Sequence, residues 1–165
     1  MARGERRLMR VFIAATMPML TELSSTGWLS AASGCAVTPA LLAALPDAHP
    51  EELEYAALTE AARVSLRLLA ASPAAPARRV VVAADVADVR VDPPAGALTV
   101  RLPGTVRLVD VGAVHVDDGA AEPAIRAAVV ALAASGGDDA PAVEEAEGFE
   151  LLWFATQEIA DLVAG

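Results

Sequence analysis

The feature that most constrains the fold is a long helical pattern followed closely by a continuous β-branched run. Residues 50–71, which begin with Pro50, repeat apolar side chains at helical spacing and predict one amphipathic helix. After the short linker SPAAPA, the run RRVVVAAD predicts a strand that is buried on both faces. A long helix beside such a strand needs a sheet with helices packed on it, so the pattern indicates the α/β class.

The other segments extend this pattern along the chain. Residues 10–14 predict a first strand, residues 16–27 a first helix that ends at Gly27, and residues 38–45 a short second helix. Further strands are predicted at ALTVRL, within residues 106–116 and at FELLWFA. Further helices are predicted at EPAIRAAVVALAA and QEIADLVA, and a loop at SGGDDAPA.

The length and the absence of a repeat favour a single domain. A chain of 165 residues is long enough to bury a core of its own. We expect one α/β (mixed α+β) domain over residues 9–165, with a mixed sheet of about five strands and packed helices. Residues 1–8 are predicted to be a non-structural extension, with Met9 as an alternative start.

Composition and charge exclude several classes of function. The chain has no lysine, so it has no Schiff-base lysine, pyridoxal anchor or Walker A loop, and it lacks a dinucleotide fingerprint and a nucleophile elbow. Its formal net charge of −10 opposes binding to phosphate backbones and anionic membranes. No run of about 18 strongly apolar residues predicts a membrane span. We expect neither nucleic acid nor a membrane as partner.

The single cysteine, Cys35, bears on the compartment. The apolar run before it and the letters ASGC resemble a lipoprotein signal that ends at Cys35. However, Arg10 interrupts the apolar run, and polar residues 21–27 separate it from the cysteine, whereas a signal peptide has the two nearly adjacent. We therefore interpret MRVFIAA as a strand and Cys35 as a small buried thiol, and expect a cytoplasmic protein.

Glu54 is the acidic residue of the long helix that stands out. At 100° per residue it projects near the middle of the apolar arc, whereas Glu52 falls on the solvated face. A carboxylate facing a core must be paired, hydrogen-bonded or held in a cleft. Glu54 is therefore a candidate ligand or acid–base residue. The alternative is a structural carboxylate that escapes at the helix end or pairs with an arginine, such as Arg10, Arg78 or Arg79.

Three aspartates follow predicted strands and form a candidate metal site. Asp85 follows VVVAA, and Asp117 and Asp118 follow AVHV. If these strands are parallel neighbours, their carboxyl ends meet at one edge of the sheet, and three carboxylates offer the hard oxygen ligands that Mg²⁺ prefers. The alternative is that Asp118 caps the next helix and Asp85 begins a turn.

His115 and the aromatic residues are further candidates. His115 alternates with Val114 and Val116, so it lies on the opposite face of its strand, as a base or as a hydrogen-bonded sheet histidine. The aromatic residues are expected in the core or at an interface: Trp28, Tyr55, Trp153 and Phe154.

The chain resembles a family of short actinobacterial proteins of unknown function. The resemblance runs from Met9 over nearly the whole chain, in the blocks MRVFIAAT, EELEYAALTEAARVSLRLL, RRVVVAADV, VHVDD and ELLWFATQEI. It supports a start at Met9 and a cytoplasmic location. It implies no established activity, so no functional residue is carried over from it.

Two hypotheses about function remain open. The first is a non-catalytic cytoplasmic protein without a cofactor, which binds a partner protein or self-associates, because catalytic side chains are few. The second is a metal-assisted hydrolase or transferase that uses Mg²⁺ at Asp85, Asp117 and Asp118, with Glu54 as a further candidate. They differ in whether the three carboxylates converge in a concave pocket.

Overall fold

A seven-stranded antiparallel sheet lies at the centre of the structure, a computed structural model that describes residues 7–135 and 137–165. The strands follow the order β4-β5-β2-β1-β3-β6-β7 across the sheet. Their bounds are β1 Met9–Ala15, β2 Trp28–Cys35, β3 Val80–Val86, β4 Arg90–Val91, β5 Thr99–Arg107, β6 Val111–Asp117 and β7 Leu151–Ala155. The helices are α1 Met17–Thr26, α2 Pro39–Ala44, α3 Pro50–Ala71, α4 Glu122–Ser135, α5 Pro141–Glu147 and α6 Ile159–Ala164.

The mixed α+β class is confirmed, but the prediction of a mixed sheet of about five strands is wrong. Within the described chain the sheet has seven strands, and all neighbouring strands pair antiparallel. The sequence WLSAASGC of β2 is rich in small residues with weak strand preference, and β4 has only two residues. Hydrophobic periodicity also carries no information on strand direction. Of the predicted extension 1–8, residues 1–6 lie outside the described chain, as does Gly136 of the predicted loop.

Local capping signals place the first helices where the sequence predicts them. The Thr16 side chain accepts a hydrogen bond from the Met19 N–H, Pro18 lies in the first turn, and Gly27 ends α1 in the left-handed region at φ 80°. Thr38 caps α2 in the same way. The long helix α3 begins at Pro50 as predicted. Residues 141–147, in contrast, form helix α5, which the predicted loop SGGDDAPA partly overlaps.

The alternation of side chains along β1 separates two layers of core. Val11 and Ile13 point towards α1 and α6, where they pack with Leu20 and Ile159. Phe12 points to the opposite face, which α3 covers with a row of alanines. Helices α4 and α5 then pack against the second half of α3. The result is one helical layer on each face of the sheet.

Ser65 fixes α3 against the sheet. Its hydroxyl donates to the Ala15 carbonyl at 2.7 Å and accepts from the Val80 N–H at 3.0 Å, so one buried side chain joins α3, β1 and β3. The helix therefore lies over the centre of the sheet, while β7 forms an edge. None of the described helices combines the length and the hydrophobicity that a membrane span requires.

Candidate functional site

The antiparallel sheet separates the three aspartates of the predicted magnesium site. Val80, at the start of β3, pairs with Val116 near the end of β6. The C-terminal ends of these two strands therefore lie at opposite ends of the strand pair. Asp85 and Asp117 are therefore far apart along the β3–β6 pair. Among the described residues no group of three histidine, cysteine or acidic side chains is placed to hold a metal ion. The prediction of converging carboxylates is wrong because it assumed parallel strands.

Asp85 and Asp118 have ordinary surroundings. Asp85 accepts hydrogen bonds from Arg10 Nε at 2.9 Å and Nη2 at 3.2 Å, across the β1–β3 pair. This partly exposed ion pair raises the pKa of Arg10. Asp118 is exposed and precedes a short 3-10 turn, and its side chain makes no capping hydrogen bond. The backbone carbonyl of Asp118, not its carboxylate, accepts from the Ala121 N–H.

Asp117 forms a buried ion pair with Arg79. Arg79 donates from its Nε and Nη2 to the two carboxylate oxygens at 2.9 and 2.7 Å, and its backbone N–H donates to Oδ2 at 2.8 Å. Arg79 Nη2 also donates to the Phe149 carbonyl at 2.8 Å, and Arg78 donates twice to the Asp117 carbonyl. This network joins β3, β6 and the segment before β7. Asp117 therefore has a structural role that the sequence did not indicate.

Glu54 does not face the core. Its side chain is exposed in the second turn of α3, so the orientation expected from the helical wheel is wrong. Its charge, after the Asp85 hydrogen bond and charge, contributes to the raised pKa of Arg10. These surroundings match the alternative interpretation, in which Glu54 is a structural carboxylate near the start of the helix that interacts with Arg10.

Replacing Glu54 with alanine should change the free energy of unfolding by less than about 0.5 kcal/mol, because exposed substitutions away from special features have small effects. Glu52→Ala, also exposed and in the first turn of α3, is the matched control and should have an equally small effect. Urea unfolding of both variants measures this. A loss above about 1 kcal/mol for Glu54→Ala alone would show that the carboxylate has a buried partner.

His115 lies on the face of the sheet that α3 covers. It pairs with Val81 on one side and Trp153 on the other, and its ring centroid lies 6.4 Å from that of Phe12. Partial burial, aided by the charge of Arg10, lowers the pKa of His115 and favours the neutral imidazole. His115 is therefore a partly buried sheet histidine beside an exposed tryptophan.

Cys35 is a buried thiol, as predicted. Burial raises the pKa of Cys35 to about 11, so the thiolate is scarce at neutral pH. The side chain packs with Phe12 and the alanines of α3. It therefore contributes to the core and lacks the character of a nucleophile.

A cavity of about 100 Å³ opens between α3 and the start of β7. Apolar side chains from both elements form most of its wall: Tyr55, Leu58, Leu66, Phe149 and Leu151. Arg63, Arg79 and Glu147 contribute the polar part, and Glu150 lies at the rim. No local sequence pattern indicates this cavity, because its walls come from segments about 80 residues apart.

The edge strand β7 continues from this cavity. Its sequence LLWFA carries no charge, and Leu152 and Trp153 are 45% and 62% exposed on opposite faces. The Ala155 N–H donates to Glu158 at 2.7 Å rather than to β6. The backbone N–H and C=O groups of alternate residues point to the same side of a strand. Those of Leu151 and Trp153 therefore also point to the open edge. We call the cavity and strand together the β7 surface.

Comparisons with known proteins define the family but not the activity. No curated protein matches the chain, and no solved structure matches it. A family model matches residues 9–163, which is almost the whole described chain, and this confirms the resemblance that the sequence blocks indicate. The chain belongs to the family of unknown function DUF6912.

Proposed function

We propose that this protein binds a partner protein in the cytoplasm, by pairing an extended segment of that partner with the open edge of β7. The observation that carries the proposal is the composition and exposure of β7. Its five residues include no charge and no proline, and Trp153 and Leu152 present large apolar surfaces on the two faces. An exposed edge strand of this kind offers backbone donors and acceptors to another chain.

The opposite edge of the sheet has the protection that β7 lacks. Strand β4 has only two residues, one of which is Arg90, and two prolines follow at positions 93 and 94. Short length, charge and proline are the usual means by which proteins prevent pairing at an edge. Their presence at β4 and absence from β7 within one sheet favour a binding role for β7.

The chemistry of the candidate catalytic residues also favours binding over catalysis. Asp117 is fully engaged by Arg79, and Asp85 is bound by Arg10. The Cys35 thiol is buried in the core. The competing proposal, a metal-assisted hydrolase or transferase, loses the convergence of carboxylates on which it depended.

A different protein is a better occupant than a second copy of this chain. If two β7 strands pair antiparallel about Trp153, Glu150 of one copy lies opposite Thr156 of the other, next to the Glu158 carboxylate that accepts from the Ala155 N–H. Like charges in neighbouring strands are destabilising. With a formal net charge of −10, the chain favours a partner that carries basic residues.

The variant Trp153→Lys tests this proposal. A lysine on an edge strand opposes strand pairing, and the substitution also removes the aromatic anchor. We expect affinity capture from the native cytoplasm, followed by mass spectrometry, to lose its specific partner with Trp153→Lys. The free energy of unfolding should change by only about 0.5 kcal/mol, because the side chain is mostly exposed.

Val130→Lys is the matched control, since Val130 is 69% exposed on α4 and lies outside the β7 surface. It should retain the partner. If the wild-type protein, Trp153→Lys and Val130→Lys all capture the same proteins, the proposal is contradicted. Sedimentation of the purified protein separates the remaining alternative: a stable dimer that Trp153→Lys dissociates identifies a second copy as the occupant.

A further inference from the structure

We propose that the cavity at the start of β7 receives an aliphatic side chain of the partner segment, and that Glu150 binds a basic side chain beside it. This inference rests on the proposed function and deepens it, because it names the chemistry that the partner must carry. The partner segment is then extended and contains a leucine, isoleucine or methionine with a lysine or arginine close by.

The size and the lining of the cavity select an aliphatic group. Apolar cavities of roughly 150 Å³ hold benzene, so a cavity of about 100 Å³ suits a smaller branched or linear aliphatic group. Leu58 and Leu66 of α3 and Leu151 of β7 form its walls. Leu66 is almost fully buried, which makes this part of the wall rigid.

The arginines of the wall are already neutralised. Arg63 donates to the two carboxylate oxygens of Glu147 at 2.7 and 3.2 Å. Arg79 donates to Asp117 and to the Phe149 carbonyl. Neither arginine therefore supplies net positive charge to the cavity, and an anionic group gains little there.

Glu150 supplies the charge that remains. It is exposed, lines the cavity and immediately precedes β7, and within the described chain it has no ion pair or side-chain hydrogen bond. A cation placed over the cavity meets this carboxylate directly. The site thus combines an apolar floor with a negative rim, which is complementary to an aliphatic side chain next to a lysine or arginine.

The cavity lies where a paired strand directs its side chains. Leu151 and Trp153 lie on the same face of β7, because they are two residues apart and pair with Asp117 and His115. A strand added to β7 runs about 4.8 Å away and projects every second side chain to this face. One of these side chains, near the start of β7, is placed to enter the cavity beside Leu151.

Two small probes test the site without requiring strand pairing. The 3-methylbutylammonium ion and 4-methylpentanoate share one hydrocarbon chain but carry opposite charges. In spectra of methyl-labelled protein, we expect the ammonium probe to shift the methyl signals of Leu58, Leu66 and Leu151 in a saturable manner, and the carboxylate probe to bind more weakly. Absence of any saturable shift at these leucines overturns the cavity site, and equal binding of both probes overturns the role of Glu150.

Variants define the two parts of the site. Thr59→Phe, which fills the cavity from its α3 wall, should abolish the shifts while the other methyl signals show an intact fold. Glu150→Gln should weaken the ammonium probe by about two- to fivefold, the effect expected of an exposed ion pair. Glu144→Gln on α5, whose exposed side chain does not line the cavity, should leave probe binding unchanged. If Glu144→Gln weakens binding of the ammonium probe as much as Glu150→Gln does, the effect comes from the general surface charge and not from Glu150.

Peptides selected from a random display library separate this inference from the proposed function. On the wild-type protein, selected peptides should share an aliphatic residue with a lysine or arginine within two positions, and Glu150→Lys should remove the preference for the basic residue. Peptides that require Trp153 but lack this pattern support strand pairing and overturn the inference. If no peptides are enriched while the ammonium probe binds, the cavity chemistry stands and strand pairing at β7 fails.

Discussion

Replacing Asp117 with alanine is expected to destabilise the protein by about 3–5 kcal/mol, because it leaves the Arg79 guanidinium buried without its counter-charge. The side chains of Arg79 and Asp117 are only 5% and 0% exposed. The substitution also removes the acceptor of the Arg79 backbone N–H, which Asp117 Oδ2 now binds at 2.8 Å. Urea unfolding of the two proteins at neutral pH measures the difference.

Asp85→Ala is the matched control for this prediction. Asp85 also pairs with an arginine across neighbouring strands, but both side chains of that pair are about 40% exposed, 42% for Arg10 and 43% for Asp85. Loss of an exposed pair should cost about 0–1 kcal/mol. If the two variants lose the same stability, the buried pair has no special role, and the Arg79 guanidinium finds other acceptors when Asp117 is absent.

A double variant separates the loss of the attraction between Arg79 and Asp117 from the cost of leaving one buried charge unpaired. In Arg79→Ala with Asp117→Ala no buried charge remains, so its free energy of unfolding should fall by less than the sum of the two single losses. Strict additivity contradicts a direct coupling between the two side chains. A smaller loss in the double variant than in Asp117→Ala indicates that most of the cost comes from the unpaired guanidinium.

The sequence predicted the local elements because their signals are local. Thr16, Gly27 and Thr38 act through their own turns, and the β-branched run of β3 needs no distant partner to be recognised. Strand direction and strand β2 depend instead on pairing between distant segments. One of the two antiparallel partners of β2 is β5, about 70 residues away, and no periodicity within WLSAASGC indicates this pairing.

The candidate site illustrates the same limit. The helical wheel placed Glu54 against the core because it assumes that the whole apolar arc is covered, whereas the first turns of α3 leave that position exposed. Asp117 was a candidate metal ligand only if its strand ran parallel to β3, yet its surroundings are set by Arg79, which the antiparallel register places opposite it. The role of a carboxylate depends on which cation the tertiary fold places beside it. Patterns of single residues along the sequence do not contain that information.

Gly34→Ala should destabilise the protein by about 1–3 kcal/mol, the usual effect of overpacking. A Cβ at position 34 would overlap Val11 Cγ1 and lie 3.2 Å from the Phe12 carbonyl oxygen. Val11 is fully buried in the core between the sheet and α1, so it has little room to move. Gly34 also lies beside Cys35, which pairs with Phe12 where β1 and β2 meet. The close approach of the two strands therefore depends on the missing side chain.

Gly119→Ala is the control, since a Cβ at Gly119 would meet no atom within 4 Å, and it should change the free energy of unfolding by only about 0.5 kcal/mol. Combining Gly34→Ala with Val11→Ala removes the overlapping methyl group. If steric overlap is the cause, the double variant should lose less stability than the two single losses added together, because each substitution relieves part of the other's cost. Additive losses of stability, measured by urea unfolding, would instead mean that β2 shifts away from β1. The contact between β1 and β2 would then tolerate a Cβ at position 34.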